Sequence, residues 1–130
     1  RQCSFQFGSS DLKLRSREQC SIQREATWII YLLFIEVIER NWRIREGEID
    51  IVALNPSGKF SFIEVKTRSS VAFGHPFEAI DRDKARRMQR LALAWLATHG
   101  CLGCDYQIDV AAVLLATDGG SSIEYRANLL

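Results

Sequence analysis

Three charged residues interrupt two apolar segments near the middle of the chain. Asp50 lies in the first segment, and Glu64 and Lys66 lie in the second. Proteins usually hold Mg²⁺ with one or two carboxylates, together with water and the phosphate oxygens of a substrate. An ammonium group beside such an ion can orient an attacking water and offset charge that develops on a phosphate oxygen. These residue types therefore predict a divalent-cation site suited to hydrolysis of a phosphate ester.

The two apolar segments must position these side chains. Ile49–Leu54 and Phe60–Lys66 are rich in β-branched and aromatic residues and are bounded by turn residues, which predicts a β-hairpin. Because side chains alternate between the two faces of a strand, Glu64 and Lys66 point to the same face.

The loop of the hairpin sets which residues lie opposite one another. A three-residue loop, Pro56–Gly58, would pair Asn55 with Lys59 and bring Asp50 opposite Glu64. Like charges at opposite positions destabilise a sheet, so this register favours a cation between them. The Glu-x-Lys tripeptide alone is also common on the solvated face of an antiparallel sheet, and that interpretation stays open.

Two motifs in the hairpin are similar to those of a known family. Gly47–Ala53 reads GEIDIVA and Phe62–Arg68 reads FIEVKTR. Together they resemble the signature of the YraN-like family of predicted endonucleases, which belongs to the PD-(D/E)XK nuclease superfamily and is related to archaeal Holliday junction resolvases. The resemblance extends from about Glu25 to the end of the chain. Further matching segments, in order, are Arg40–Arg43, Phe73–Gly74, Lys84 and Ile108–Val110.

The resemblance implies a role for each residue of the central motif. Asp50 and Glu64 would be ligands of Mg²⁺ or Mn²⁺, with the Val65 carbonyl as a further ligand. Lys66 would be the catalytic lysine, positioning the water that attacks a phosphodiester.

A further acid is expected in the first helix. A capping box beginning at Ser16 and an apolar stripe at helical spacing predict this helix, with Glu25 at the edge of its buried side. In the family, a glutamate of this helix faces the metal site, which implies a catalytic role for Glu25. Counting back from Asn41 places Gln23 at that position instead, and a carboxylate at the helix flank paired with arginine is equally ordinary.

Basic residues surround the predicted site in the sequence. Arg43 and Arg45 precede the hairpin, Arg68 follows it, and Lys84 lies on the face of a second predicted helix that points toward the site. Arg86 belongs to a basic stripe on that helix. Stripes of this kind are usually solvated faces, but beside a nuclease site they are candidates for contacts with DNA phosphates.

The order of predicted elements indicates an α/β fold. The first strand is expected at Ile35–Arg40, the second helix between Phe77 and His99, a long strand at Tyr106–Ala116 and a closing strand at Ile123–Arg126. The order α-β-β-β-α-β-β predicts a mixed central sheet flanked by helices, as in a restriction-endonuclease-like PD-(D/E)XK core. Residues 1–15 are expected to form a mobile arm or a short ordered leader, and residues 16–130 a single nuclease-like domain.

Composition constrains the remaining choices. With 130 residues, 47% hydrophobic residues and a net charge of +1, the chain is expected to be a globular domain without a signal peptide or membrane span, and cytoplasmic. Its four cysteines are expected to be reduced thiols. The Cys101–Cys104 pair could be half of a zinc or redox site, although a glycine-bearing loop is the more ordinary interpretation. Asp109 is expected to be a structural acid.

The sequence thus leads to one expectation and its rival. The first is an endonuclease that uses Mg²⁺ or Mn²⁺ to hydrolyse DNA, with branched or structured DNA as substrate by resemblance, a possible homodimer, and no small-molecule cofactor. The rival is a non-catalytic nucleic-acid-binding module that retains the nuclease fold and its basic surface.

Overall fold

The computed structural model describes residues 2–7, 36–68, 81–115 and 121–128. These residues form one sheet and one helix. The elements, in chain order, are β1 (Gln2–Phe7), β2 (Glu36–Ile44), β3 (Gly47–Leu54), β4 (Phe60–Arg68), α1 (Arg82–Thr98), β5 (Tyr106–Leu115) and β6 (Ser121–Arg126).

The six strands form a mixed sheet in the order β1-β6-β5-β4-β3-β2. Strands β4 and β5 are parallel, and the other neighbouring pairs are antiparallel. Parallel neighbours need a crossover connection, and α1 lies in the connection between β4 and β5. The predicted α/β class is therefore confirmed for the part of the chain that the structure describes.

The predicted register of the central hairpin is confirmed. Leu54 pairs with Phe60, and the Asn55 N–H donates to the Lys59 carbonyl at 2.9 Å. Gly58 has φ +84°, a left-handed conformation that glycine adopts without steric cost. The Asn55 carboxamide oxygen accepts hydrogen bonds from the backbone N–H groups of Ser57 and Lys59, so this side chain closes the loop.

Helix α1 covers the side of the sheet on which the site lies. Its buried residues Leu91, Ala92, Trp95 and Leu96 recur at helical spacing and pack with Ile49, Val52, Phe62 and Ile108 of the sheet. Burying a large apolar side chain of this kind stabilises a fold by about 1.5–3 kcal/mol. A second cluster contains Ile51, Ala53, Ile63, Ala111 and Tyr125. The helix has neither the length nor the apolar character of a transmembrane segment.

Several element boundaries differ from the sequence predictions. The first strand of the central unit was expected to end at Arg40, but β2 continues to Ile44 because it pairs with β3 along almost its whole length. Strand β1 was not predicted. It pairs with β6 at the far end of the chain, so no local sequence pattern predicts it. The predicted first helix and residues 77–80 lie outside the described residues.

Candidate active site

A cleft of about 830 Å³ opens where β3 and β4 meet the first turns of α1. Acidic and basic side chains that the sequence predicted to act together both line this cleft. The strands contribute Asp50, Glu64 and Lys66, the helix contributes Lys84, Arg87 and Met88, and the edge strand β2 contributes Asn41 and Arg43.

Asp50 lies where the regular pairing of β3 with β4 ends. The last recorded pair is Ile51 with Ile63, and the next step in this register places Asp50 across from Glu64, as predicted. Beyond the last pair, the Val65 N–H donates to Asp50 Oδ2 at 2.8 Å. The Asp50 carboxylate thus takes a backbone donor that β3 no longer satisfies, and this hydrogen bond fixes its position.

The surroundings of Asp50 favour its protonated form. Burial is the largest effect and raises the pKa of Asp50 from 3.8 to about 6, while the hydrogen bond from Val65 opposes the rise. The charges of Glu64 and Glu48 raise this pKa further, and Lys84 lowers it. Without an added cation, the negative charge at Asp50 is therefore held at an energetic cost.

The two carboxylate oxygens of Glu64 differ in their contacts. Its Oε1 lies 2.8 Å from the Lys84 Nζ, in an ion pair whose side chains are each less than a quarter exposed. Its Oε2 is buried and has no hydrogen-bond partner within the described parts of the chain. A buried carboxylate oxygen without a partner is costly, so this oxygen calls for an explanation other than the stability of the fold.

Lys66 follows Glu64 by two positions on β4 and lines the same cleft. It is only 6% exposed. A lysine is rarely so buried unless its ammonium interacts with other polar groups, and its neighbours in the cleft include the carboxylate of Glu64.

Helix α1 brings its own ammonium to the cleft. Asp81 caps the helix, since its Oδ1 accepts a hydrogen bond from the Lys84 backbone N–H at 2.8 Å. Lys84 therefore lies in the first turn of α1 and, as predicted, on the face of the helix that points toward the site. Burial alone would lower the pKa of Lys84, but the hydrogen bond to Glu64 and the negative charge of that carboxylate oppose this effect, and the net shift is upward.

The donor set fits a hard divalent cation. Two carboxylates, one with a buried oxygen lacking a partner and the other with a raised pKa, suit an ion that is otherwise held by water and phosphate oxygens. Within the described ranges, no three His, Cys, Asp or Glu side chains lie together as a set that could hold a metal ion. A tetrahedral zinc site is therefore not formed by these residues, and the arrangement resembles the sparser protein coordination typical of Mg²⁺.

The third predicted ligand is the Val65 carbonyl, and no contact in the described residues identifies this oxygen as a ligand. Val65 lines the cleft, and its recorded contact is the N–H that holds Asp50. Coordination by the Val65 carbonyl remains a prediction. The fourth predicted acid, Glu25, and its alternative, Gln23, lie outside the described residues.

The predicted basic residues occupy different places. Arg43 lines the cleft and forms an exposed ion pair with Glu48 at 2.7 Å. Arg45 and Arg86 are exposed but are not among the residues that line the cleft. Arg68 ends β4, and its side chain lies outside what the structure describes.

Two cleft residues were missed in the sequence. Arg87 could have been found from the sequence, because it lies three positions after Lys84 and residues at that spacing share a helix face. Asn41 has φ +55° inside a strand, a conformation that asparagine tolerates better than most residues. No local sequence signal distinguishes that conformation from ordinary strand backbone.

Asp109 belongs to the structure rather than to the cleft. It is fully buried beside Ile63 and accepts hydrogen bonds from the Tyr125 hydroxyl, the Gln107 side chain and the Asn128 N–H. Burial raises the pKa of Asp109, while these donors oppose the rise. The expectation of a structural, hydrogen-bonding acid agrees with these contacts.

The cysteine-bearing loop does not form a second site in the described residues. Cys101 and Cys104 are free thiols, and the Cys101 Sγ donates to the His99 carbonyl. The His99 ring stacks on Trp95 and contacts Glu39 at 3.2 Å. These contacts join the end of α1 to β2, so His99 has a packing role.

Comparisons with known proteins place this chain among a group of bacterial sequences. The model of Uncharacterised protein family UPF0102 matches residues 22–113. A UPF0102 protein of Beutenbergia cavernae is 50% identical over 91 residues, which are 70% of this chain and 76% of that protein. A UPF0102 protein of Trichlorobacter lovleyi is 41% identical over 92 residues, covering 71% of this chain and 72% of the relative.

One comparison with solved structures gives a distant likeness. The crystal structure of a repair endonuclease from Pyrococcus abyssi is similar to 82% of this chain at 21% sequence identity and a TM-score of 0.39. This chain spans only 39% of that protein's chain.

Proposed function

The chain belongs to protein family UPF0102, and we propose that it is an endonuclease that uses Mg²⁺ or Mn²⁺ to hydrolyse DNA phosphodiester bonds. Its family membership confirms the YraN-like resemblance found in the central motifs. The observation that carries the proposal is the placement of Asp50, Glu64 and Lys66 in one cleft, with the buried Glu64 Oε2 lacking a partner among the described residues.

Asp50 and Glu64 would hold the ion, with the Val65 carbonyl as a further ligand. The Val65 N–H holds one oxygen of the Asp50 carboxylate, and both acids line the same cleft. When bound, the ion would lower the pKa of a coordinated water and neutralise charge on phosphate oxygens.

Lys66 would act on the attacking water. The strand places its ammonium on the same side as Glu64, and its burial restricts the positions it can adopt. From there it can hold the water in line with the scissile bond and balance charge on a phosphate oxygen. The acid of the first helix, Glu25, would complete this set as the family resemblance implies.

Basic residues around the cleft would hold the nucleic acid backbone. Arg43, Lys84 and Arg87 line it, which makes them the nearest candidates for phosphate contacts. Arg45, Arg68 and Arg86 would extend this surface. Relation to junction resolvases makes branched DNA the first substrate to test. Paired cuts in such a substrate would require two active sites, so we expect a homodimer.

The first experiment compares cleavage of end-labelled four-way junction, flap, single-stranded and duplex DNA with Mg²⁺, with Mn²⁺ and with EDTA. The purified variants are Lys66→Ala, Asp50→Asn and, as a matched control, Lys59→Ala, because Lys59 is an exposed lysine in the hairpin loop. We expect metal-dependent cutting by the wild type and by Lys59→Ala only. Equal cutting by all proteins would reveal a contaminating nuclease and remove support for the proposal.

One observation favours the rival function. Glu64 Oε1 is already ion-paired with Lys84, so part of the site is neutralised without a metal. A non-catalytic binding module would shift DNA in an electrophoretic assay without cutting it under any metal condition. Its affinity for Mg²⁺ would then be no better than that of Asp50→Ala.

A further inference from the structure

Lys84 occupies an unusual position for a lysine. It lies in the first turn of α1, where the helix dipole disfavours a positive charge, and it faces Lys66 and Arg87 in the same cleft. Its favourable charged contact is Glu64 Oε1, at 2.8 Å. The ammonium is therefore held in the cleft chiefly by the carboxylate that is the best candidate for binding a cation.

The two oxygens of Glu64 show what this contact does. Oε1 is neutralised by Lys84, whereas Oε2 is buried without a hydrogen-bond partner among the described residues. A single ammonium thus compensates the charge of Glu64 but leaves half of its coordination capacity unused. A divalent ion could engage Oε2 and also the Asp50 carboxylate, which Lys84 approaches only through a weaker electrostatic interaction.

We propose that Lys84 is a displaceable counter-ion of Glu64, which partly fills the place of the divalent cation in the metal-free protein and moves to a phosphate of the nucleic acid once the cation binds. This inference rests on the proposed function, because it assumes that Asp50 and Glu64 hold the metal. The metal-bound Glu64 would no longer need the ammonium. The cation, Arg87 and the helix terminus would then all repel it toward an anionic ligand.

The side chain has the freedom that this movement requires. Lys84 is about a quarter exposed, at the rim of the cleft, whereas Lys66 is almost fully buried on the central strand. Lys84 can therefore leave Glu64 without a change in the sheet. It thereby links metal binding to nucleic-acid binding.

The first test measures metal binding without nucleic acid. Titration calorimetry with Mg²⁺ and with Mn²⁺ compares the wild type with Lys84→Met and Lys84→Gln. Both variants remove a competing cation, so we expect their dissociation constants to fall about three- to tenfold, as for the loss of a partly buried ion pair. Circular dichroism checks that each variant is folded.

Two control variants distinguish the effect of the Lys84–Glu64 ion pair from the effect of removing any positive charge. Lys59→Met removes the exposed lysine of the hairpin loop and should leave metal affinity unchanged. Arg87→Met removes a charge from the cleft itself and should change the affinity by less than twofold. An equal gain in Arg87→Met, or no gain in either Lys84 variant, would overturn the proposal while leaving the nuclease function standing. Absence of metal binding in every protein would instead overturn the proposed function.

A second test follows Lys84 to the phosphate. Duplex DNA binding is measured against salt concentration in EDTA and in Ca²⁺, a hard cation that takes the same oxygen ligands. In EDTA, Lys84→Met should have the salt dependence of the wild type. In Ca²⁺, its slope of log affinity against log salt should be shallower by about 0.9, the value expected for one lost phosphate contact. Identical slopes for the two proteins in Ca²⁺ would refute the transfer.

Discussion

Replacing Asp50 by asparagine should stabilise the metal-free protein at neutral pH. The folded state raises the pKa of Asp50 from 3.8 to about 6, so the folded protein binds its proton more tightly than the unfolded chain does. The stability that this proton contributes is fully present below pH 4 and is lost as the pH rises to about 6. A rise of about two pKa units corresponds to about 2–3 kcal/mol.

Asparagine is neutral at every pH, and its amide oxygen can still accept the hydrogen bond from the Val65 N–H. The free energy of unfolding of Asp50→Asn should therefore exceed that of the wild type by about 2–3 kcal/mol at pH 7 and match it near pH 4. Urea denaturation followed by circular dichroism, in EDTA at pH 4, 5, 6 and 7, measures this difference.

The matched control is Asp105→Asn, because Asp105 is an exposed aspartate outside the cleft. Its difference from the wild type should be small and should not follow the pH dependence expected for Asp50. A difference between Asp50→Asn and the wild type that is the same at pH 4 and pH 7, or a less stable variant at pH 7, would refute the reasoning. Saturating Mg²⁺ should then stabilise the wild type, by about 2.7 kcal/mol at a hundred times its dissociation constant, but not the variant.

Three other outcomes follow from particular contacts. Lys66→Met should lower metal-dependent cleavage at least about 100-fold, as expected for loss of a group that acts on the attacking water, with the melting curve as the check on folding. Trp95→Ala removes a 2% exposed side chain and should lower the free energy of unfolding by about 3–5 kcal/mol in urea, whereas Leu93→Ala, at an exposed position of the same helix, should change it by less than about 0.5 kcal/mol. Asp109→Ala removes the buried acceptor of the hydrogen bonds from the Gln107 side chain and the Asn128 N–H and should cost about 1–3 kcal/mol in the same assay, while cleavage by the remaining folded protein is unchanged.

Local turn chemistry explains why the centre of the site could be predicted from the sequence. Gly58 and the Asn55 side chain set the length of the hairpin loop, and the loop sets the register that brings Asp50 toward Glu64. Helical periodicity likewise placed Lys84 on the side that faces the sheet. In each case the determining interactions lie within a few residues of one another in the chain.

What could not be predicted depends on contacts that are distant in sequence. Strand β1 exists through its pairing with β6, and the left-handed Asn41 lies within an otherwise extended edge strand. The sequence indicated Arg86 rather than Arg87 as a residue of the site, for another reason. Arg86 belongs to a regular basic stripe, but Arg87 is the arginine whose position on α1 reaches the cleft.

Binding of a ligand explains the charged residues of the cleft better than a contribution to the stability of the fold does. Burial opposes the ionised form of Asp50, and Glu64 retains a buried oxygen that no described group satisfies. Replacing such groups with apolar residues is commonly neutral or stabilising, so stability alone does not explain their presence. A divalent cation would relieve both costs in one step, and it would also release the Lys84 ammonium at the rim where a phosphate must enter. Metal affinity and nucleic-acid affinity would then be coupled through one carboxylate, and neither could be altered by substitution at Glu64 without altering the other.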